Sequence, residues 1–281
     1  MTNLLEAICN IVDQGNFGLR KFHVGSNRVN NMGDALEEYI KDAFANTLDV
    51  TDQTERLMQF NNRFSWLGSK NNPPDIMIKN GDAIEVKKHE SPHATIHLNS
   101  SYPKDILNCD NPMITSDCRD CEPWNQKDLV YCFGQVTQQR LVSLWMVYGN
   151  IYAAKHSTYE RIKNAISDGV IQISDIAFSE TKELGRINEI DPLKITSLRV
   201  RGMWHIENPR KVFDYVHNCD RNNNFELISI ISEDKWSKFP QESKERLLGV
   251  NNPLLSINDI KIKDPNNPAN LINAKIIKFI M

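Results

Sequence analysis

The sequence predicts a mixed α/β fold, with a central sheet and helices packed against it. Three stretches carry that reading. NNMGDALEEYIKDAFANTL has the spacing of an amphipathic helix, DIMI and AIEVKK alternate like strands on either side of KNGD, and DLVYCFGQV with RLVSLWMVYG form two β-rich apolar runs followed by a helical pattern.

In the first stretch Leu36, Tyr39, Ile40, Ala43 and Phe44 fall at i, i+3 and i+4 spacing, and Asn31 with Asp34 three residues later suits a helix cap. The connection NNRFSWLGSKNNPP is rich in Asn, Gly and Pro, and leads into the strand pair. Asn80-Gly81 between alternating runs is a strong hairpin signal. After a polar stretch over 89–128, the two apolar runs are separated by TQQ, and HSTYERIKNAISDG reads as a helix closed by Gly169. ITSLRVRGMWHI reads as a basic strand, and Pro209 suits the first turn of a short helix after it. The segment from about 225 to 281 alternates strand-like runs with loops such as KDPNNPANL. No internal repeat or low-complexity tract stands out.

With 281 residues, 40% hydrophobic and 25% charged, the chain has the composition of one globular body and excludes dominant disorder. No apolar run approaches the roughly 18–20 residues of a spanning helix, and the first residues lack a signal-peptide pattern, so a cytoplasmic protein is expected. The six cysteines (9, 109, 118, 121, 132 and 219) read as reduced thiols. Cys118-x-x-Cys121 with Cys109 and Cys132 could offer zinc four thiolates. The irregular spacing, the lack of a second CxxC and the apolar run around Cys132 favour incidental thiols. Net charge is −3, but unevenly spread: residues 1–60 carry 5 Lys/Arg against 9 Asp/Glu, and residues 182–211 carry 7 against 4. A polyanion would prefer the second region.

The hairpin PPDIMIKNGDAIEVKK concentrates charge. Alternation puts Ile84 and Val86 on one face with Glu85 and Lys87 on the other, and separates Asp75 and Met77 from Ile76 and Ile78. With the isoleucines and Val86 in the core, Asp75, Glu85 and Lys87 come together on a common outer face. Two adjacent carboxylates repel unless a cation lies between them, and hard oxygen ligands select Mg²⁺ or a similar ion. A neighbouring lysine can orient or deprotonate a water and offset developing phosphorane charge. The set suits metal-assisted phosphodiester hydrolysis.

These residues resemble the PD-(D/E)xK motif of the restriction endonuclease superfamily, with Asp75 as first acid, Glu85 as second and Lys87 as the lysine. The ordered blocks NRVNNMGDALEEYIKDAF, NPPDIMIKNGDAIEVKKHESP and LNSSYPK resemble the NgoPII group of type II restriction enzymes over roughly the first 105 residues. The resemblance implies a restriction-endonuclease-like core with a mixed sheet flanked by helices, and one endonuclease domain over 1–281, with a catalytic core at about 30–170 and a DNA-recognition and C-terminal part at about 171–281. It implies Mg²⁺ held by Asp75, Glu85 and the Val86 carbonyl. It also implies a homodimer acting on double-stranded DNA at a short palindrome of the GC-rich, GGCC kind, with a cognate DNA methyltransferase as functional partner. Gly33 and Glu37 match a helix pattern in which the Glu assists the metal, and Glu38 could take that role instead.

Each feature also has a plainer reading. Asp75, Glu85 and Lys87 could be a solvated hairpin with a surface ion pair, and Glu37 could belong to an ordinary charged helix face. Lys88 extends its strand into solvent. His89, His93 and His97 recur every four residues, but Pro92 interrupts the helix this spacing needs, leaving surface or loop histidines. Asn99, Ser100, Ser101 and Lys104 could bond phosphates or base edges, or simply form a polar turn. Arg199 and Arg201, near Trp204 and His205, share a strand face and could reach guanine edges or phosphates. The alternatives to a restriction enzyme are a structure-specific repair or recombination nuclease and a non-catalytic DNA-binding protein on the same fold.

Overall fold

A computed structural model describes residues 2–20, 28–68, 72–92, 94–173, 177–179, 181, 184–219 and 223–281, with the backbone alone at 28–32. Helix α1 (Leu4–Gln14) starts at Asn3, whose side chain accepts the Leu5 and Glu6 amides, and it buries Leu4, Leu5, Ile8 and Ile11. Helix α2 (Arg28–Ala45) buries Leu36, Tyr39, Ile40, Ala43 and Phe44, the face its spacing predicts. It already runs from Arg28, so Asn31 lies inside it instead of capping it. Arg28, Val29 and Asn30 contain no Gly or Pro to halt the helix.

Helix α3 (Gln53–Arg63), capped by Asp52, leads to β1 (Phe64–Leu67). The predicted hairpin is present as β2 (Ile76–Ile78) and β3 (Ala83–His89), antiparallel, with Ile76 opposite Ile84 and Met77 opposite Ala83. Asn80 supplies the turn's left-handed residue, at φ 53°. Then come β4 (Ile96–His97), β5 (Ile106–Asn108), α4 (Ser116–Asp120), β6 (Gln126–Thr137) and β7 (Arg140–Tyr148). The β6–β7 pair closes through Gln138 and Gln139, both at positive φ, as a tight two-residue connection requires.

Helix α5 (His156–Ile171) runs two residues past Gly169, which therefore does not end it. A lone helical glycine costs only about 1 kcal/mol, too little to stop the last turn. The helix buries none of its residues. Next are β8 (Ala177–Ser179), β9 (Gly185–Asn188), β10 (Leu198–Val200), β11 (His205–Ile206) and α6 (Pro209–Val212), the last opening on Pro209 as expected. The expected single basic strand is thus divided: β10 pairs with β9, and β11 pairs with β4 in another sheet. The chain closes with β12 (Glu226–Ser232), α7 (Glu233–Lys238), α8 (Gln241–Leu248), β13 (Leu255–Asp264) and β14 (Asn267–Ile280). The two short helices α7 and α8 replace strand-like runs expected there; one or two turns give too little periodicity to read.

A nine-stranded sheet organises the molecule, in the order β1-β2-β3-β6-β7-β12-β14-β13 with β5 beside β6. It is mixed, since β3/β6 and β7/β12 are parallel and its other strand pairs antiparallel. Every residue of β12 is buried, as expected for a strand inside such a sheet. Helix α2 lies against β3 and β6, and a Cβ on Gly134 of β6 would stand 2.6 Å from a Leu36 methyl. That close approach holds the helix segment containing Glu37 over the sheet. Among the described residues no helix is long and apolar enough to cross a membrane.

Candidate active site

Asp75 directly precedes β2, and Glu85, Val86 and Lys87 lie on β3. The Ile76–Ile84 register brings Asp75 alongside Glu85 and sends Ile76, Ile84 and Val86 into the core. The acidic face differs from the expected open surface. Met77 and Ala83 on that face are fully buried, so Asp75, Glu85 and Lys87 sit in a half-buried recess with side-chain exposures of 19%, 15% and 22%. A solvated hairpin does not describe this arrangement.

Two backbone contacts fix the first acid. The Val86 N–H donates to Asp75 Oδ2 at 2.6 Å, and the Gly68 N–H donates to the Asp75 carbonyl at 2.6 Å. Position 68 admits only glycine at this spacing: a Cβ would lie 2.5 Å from the Pro74 carbonyl oxygen and 2.8 Å from that of Asp75. The Lys87 ammonium gathers three oxygens, Glu85 Oε1 at 2.6 Å, the Val86 carbonyl at 3.2 Å and Asp75 Oδ2 at 3.6 Å. These are the three donors expected to hold a metal.

Burial, then the Glu85 carboxylate, push Asp75 up to about 7, against the opposing pull of Lys87. Burial opposes the Lys87 charge, yet Glu85 and Asp75 outweigh it and hold Lys87 above the usual lysine range. Lys104 behaves oppositely: burial lowers it to about 8, with Lys87 adding to the effect and Glu85 resisting it. Its amide donates to the Tyr131 hydroxyl, and Tyr131 stands opposite Glu85 on β6. Lys104 therefore borders the acidic recess.

Glu37 and Glu38 separate clearly. Glu37 pairs with Lys41 at 2.7 Å and lies close enough to raise both Asp75 and Lys87. Glu38 turns toward Arg56 at 2.5 Å and Lys41 at 2.9 Å, beside the buried Arg56–Asp42 pair. This buried network anchors α2 to α3 and was not read from the sequence, because Arg56 and Asp42 are fourteen residues apart and carry no local pattern.

The predicted DNA-contacting residues converge from two distant segments. Asn99, left-handed at φ 52°, accepts the Trp204 N–H through its carbonyl at 2.8 Å, and Arg201 Nη2 donates to Ser100 Oγ at 3.4 Å. Lys104 donates to Ser101 Oγ. Arg201 lies beyond the end of β10, so it does not share a strand face with Arg199. Arg199 instead stands opposite Arg186 of β9. Arg186 belongs to the same basic stretch, and only the β9–β10 pairing sets it beside Arg199. Lys88 bonds Glu90 at 2.9 Å with a side chain only 9% exposed, so it does not simply extend into solvent.

The histidines are also rearranged. His89 is buried at the end of β3, its Nδ1 2.9 Å from the Ser91 carbonyl, so it is not a surface histidine; its strand continues inward beside β6. His97 is exposed and stacks on His205 at 4.4 Å, and His93 lies outside the described residues. Cys132 is buried in β6, and Cys118 faces the Met77 sulfur at 3.3 Å.

The NgoPII restriction endonuclease family model matches residues 2–263. The chain belongs to that family. The type II restriction enzyme NgoPII of Neisseria gonorrhoeae is 47% identical over 278 residues, 99% of each chain. No solved structure matches significantly. The family makes this chain a type II restriction endonuclease, a site-specific deoxyribonuclease, and the repair-nuclease and non-catalytic alternatives fall away. Enzymes of this family need a divalent metal, and the donor set suits one: Glu85 Oε2 is buried without a hydrogen-bond partner, beside oxygens from Asp75 and Val86.

Proposed function

We propose that the chain hydrolyses double-stranded DNA in the cytoplasm at a short palindromic, GC-rich site of the GGCC kind, using Mg²⁺ held by Asp75, Glu85 and the Val86 carbonyl. The observation that carries this reading is the convergence of those three oxygens on the Lys87 ammonium, the position where a cation is already favoured. Bound Mg²⁺ supplies a Lewis acid for the scissile phosphate and a lowered pKa for an attacking water. The Val86 amide orients Asp75. Lys87, kept protonated by its acids, donates to the attacking water or the phosphate and offsets the charge gathering there. Glu37 assists from α2, and Lys41 restrains it.

Asn99, Ser100, Ser101 and Lys104 with Arg199 and Arg201 form the proposed DNA-facing surface. The Arg201–Ser100 contact favours one continuous surface beside the acids. The chain acts as one endonuclease domain and as a homodimer, because a palindrome is read by two-fold related subunits. Helix α5 favours this, since it leaves Ile162 and Ile166 exposed at 40% and 45%. A cognate DNA methyltransferase protects the host site without stable binding.

Digestion of a supercoiled plasmid in Mg²⁺ tests the reading. Discrete bands with ends at GGCC-like palindromes are expected. A smear, another site, or cutting that ignores added and chelated metal would overturn it.

A further inference from the structure

Far along the chain from the acidic recess, His217, Cys219 and Glu226 bring one nitrogen, one sulfur and one oxygen within 4.8 Å of one another, a group unmatched elsewhere among the described residues. Glu226 opens β12, opposite Ser143 of β7 and Ile280 of β14, and its side chain is only 2% exposed. Its two oxygens differ. Oε1 accepts from Ser143 Oγ at 3.1 Å and pairs with Arg210 at 3.2 Å. Oε2 makes no hydrogen bond of normal length and lies 3.6 Å from the buried His217 Nε2, an ion-pair distance, with the Cys219 thiol beside both.

A carboxylate oxygen and an imidazole nitrogen buried 3.6 Å apart are too far for a direct hydrogen bond, and an ion shared between them satisfies both. A fixed carboxylate with one oxygen held and the other presented is how protein surroundings orient a metal ligand. Imidazole nitrogen, thiolate sulfur and carboxylate oxygen together are borderline-soft donors of the kind that select zinc over magnesium or calcium.

We propose that His217 Nε2, Cys219 Sγ and Glu226 Oε2 bind a zinc-class transition-metal ion separate from the catalytic metal. Three protein donors leave a fourth position for water, reachable because His217 and Cys219 are partly exposed. Binding releases the thiol proton to solvent as the metal–sulfur bond forms. The ion fastens the segment after α6 to the central sheet. Arg210 of α6 also bonds Gln135 on β6 at 3.1 Å, so the site locks the end of the basic stretch against the strands behind the recess.

Elemental analysis of the full chain, made with zinc supplied and then dialysed into Mg²⁺ buffer, should find about one zinc per chain. The double variant Cys118→Ser/Cys121→Ser should keep it. Cys219→Ser and His217→Gln should each lose most of it and melt at lower temperature, with circular dichroism recording whether they remain folded. Titrating zinc-depleted wild type with Co²⁺ gives a readout independent of those variants: the near-ultraviolet thiolate-to-cobalt band should reach one equivalent and should be absent in Cys219→Ser. A wild-type protein with neither stoichiometric zinc nor the cobalt band overturns the proposal. So does a band that survives Cys219→Ser or depends on Cys118 and Cys121.

Discussion

The backbone N–H of Val86 donates to Asp75 Oδ2 at 2.6 Å, tying the first acid to the strand that carries the second. Burial, and then crowding by Glu85, nevertheless raise Asp75 from an ordinary 3.8 to about 7. An acid whose folded pKa is raised costs stability as pH climbs from the unfolded value toward the folded one, and the cost vanishes below the unfolded value. Lys87 stays charged throughout this window and keeps Glu85 as a partner at 2.6 Å. Metal-free Asp75→Asn should therefore melt higher than wild type at pH 8, by at least ~1 kcal/mol, with the gap closing toward pH 4. Added Mg²⁺ should stabilise wild type and not the variant, and cleavage should fall by several orders of magnitude. Calorimetry at both pH values checks the sign; a variant less stable at pH 8 would contradict the recess.

Gly68 is close-packed against the Asp75 backbone. Gly68→Ala should displace Asp75 and reduce cleavage at least ~100-fold, the scale expected for a misplacement of about 1 Å. The fold, followed by circular dichroism, should persist. Unimpaired cutting by this variant would show that the Asp75 position is not critical.

Glu37 and Glu38 should separate activity from stability. Glu37→Gln should slow cleavage with little change in melting, because its partner Lys41 keeps Glu38. Glu38→Gln should lower the melting temperature more than it slows cutting, because it takes a charge from buried Arg56; the Asp42 bond remains, which keeps the loss below the roughly 3–5 kcal/mol of an orphaned buried ion. Plasmid cleavage and thermal melts on both variants decide the roles. A reversed pattern would assign metal assistance to Glu38.

Arg199→Ala with Arg201→Ala should weaken cognate DNA binding by about 1–3 kcal/mol per lost base contact and flatten its salt dependence. Fluorescence anisotropy in Ca²⁺ at several salt concentrations measures both. Unchanged affinity and slope would move the reading surface elsewhere. Adding Arg186→Ala should flatten the slope further, since Arg186 stands beside Arg199.

Replacing Ile162 and Ile166 by Glu should convert a dimer into the 32.3 kDa monomer in sedimentation while leaving the fold intact, because α5 buries none of its residues against its own chain. Wild type that sediments as a monomer both alone and on DNA would exclude the homodimer.

By itself the sequence determined the elements whose signals are local. Helix α2 follows from 3.6-residue spacing, the β2–β3 hairpin from alternation around Asn80-Gly81, and the β6–β7 pair from two apolar runs about a short turn. It also determined the grouping of Asp75, Glu85 and Lys87, since strand alternation and a two-stranded register suffice to bring ten residues of chain together. Only the tertiary structure decided what surrounds them. The Asp42–Arg56 network, the meeting of Ser100 with Arg201, the burial of His89 and the gathering of His217, Cys219 and Glu226 join residues from distant elements. Such contacts depend on how strands and helices pack. Packing is set by the summed burial of many side chains, and it leaves no period or spacing at the positions it brings together.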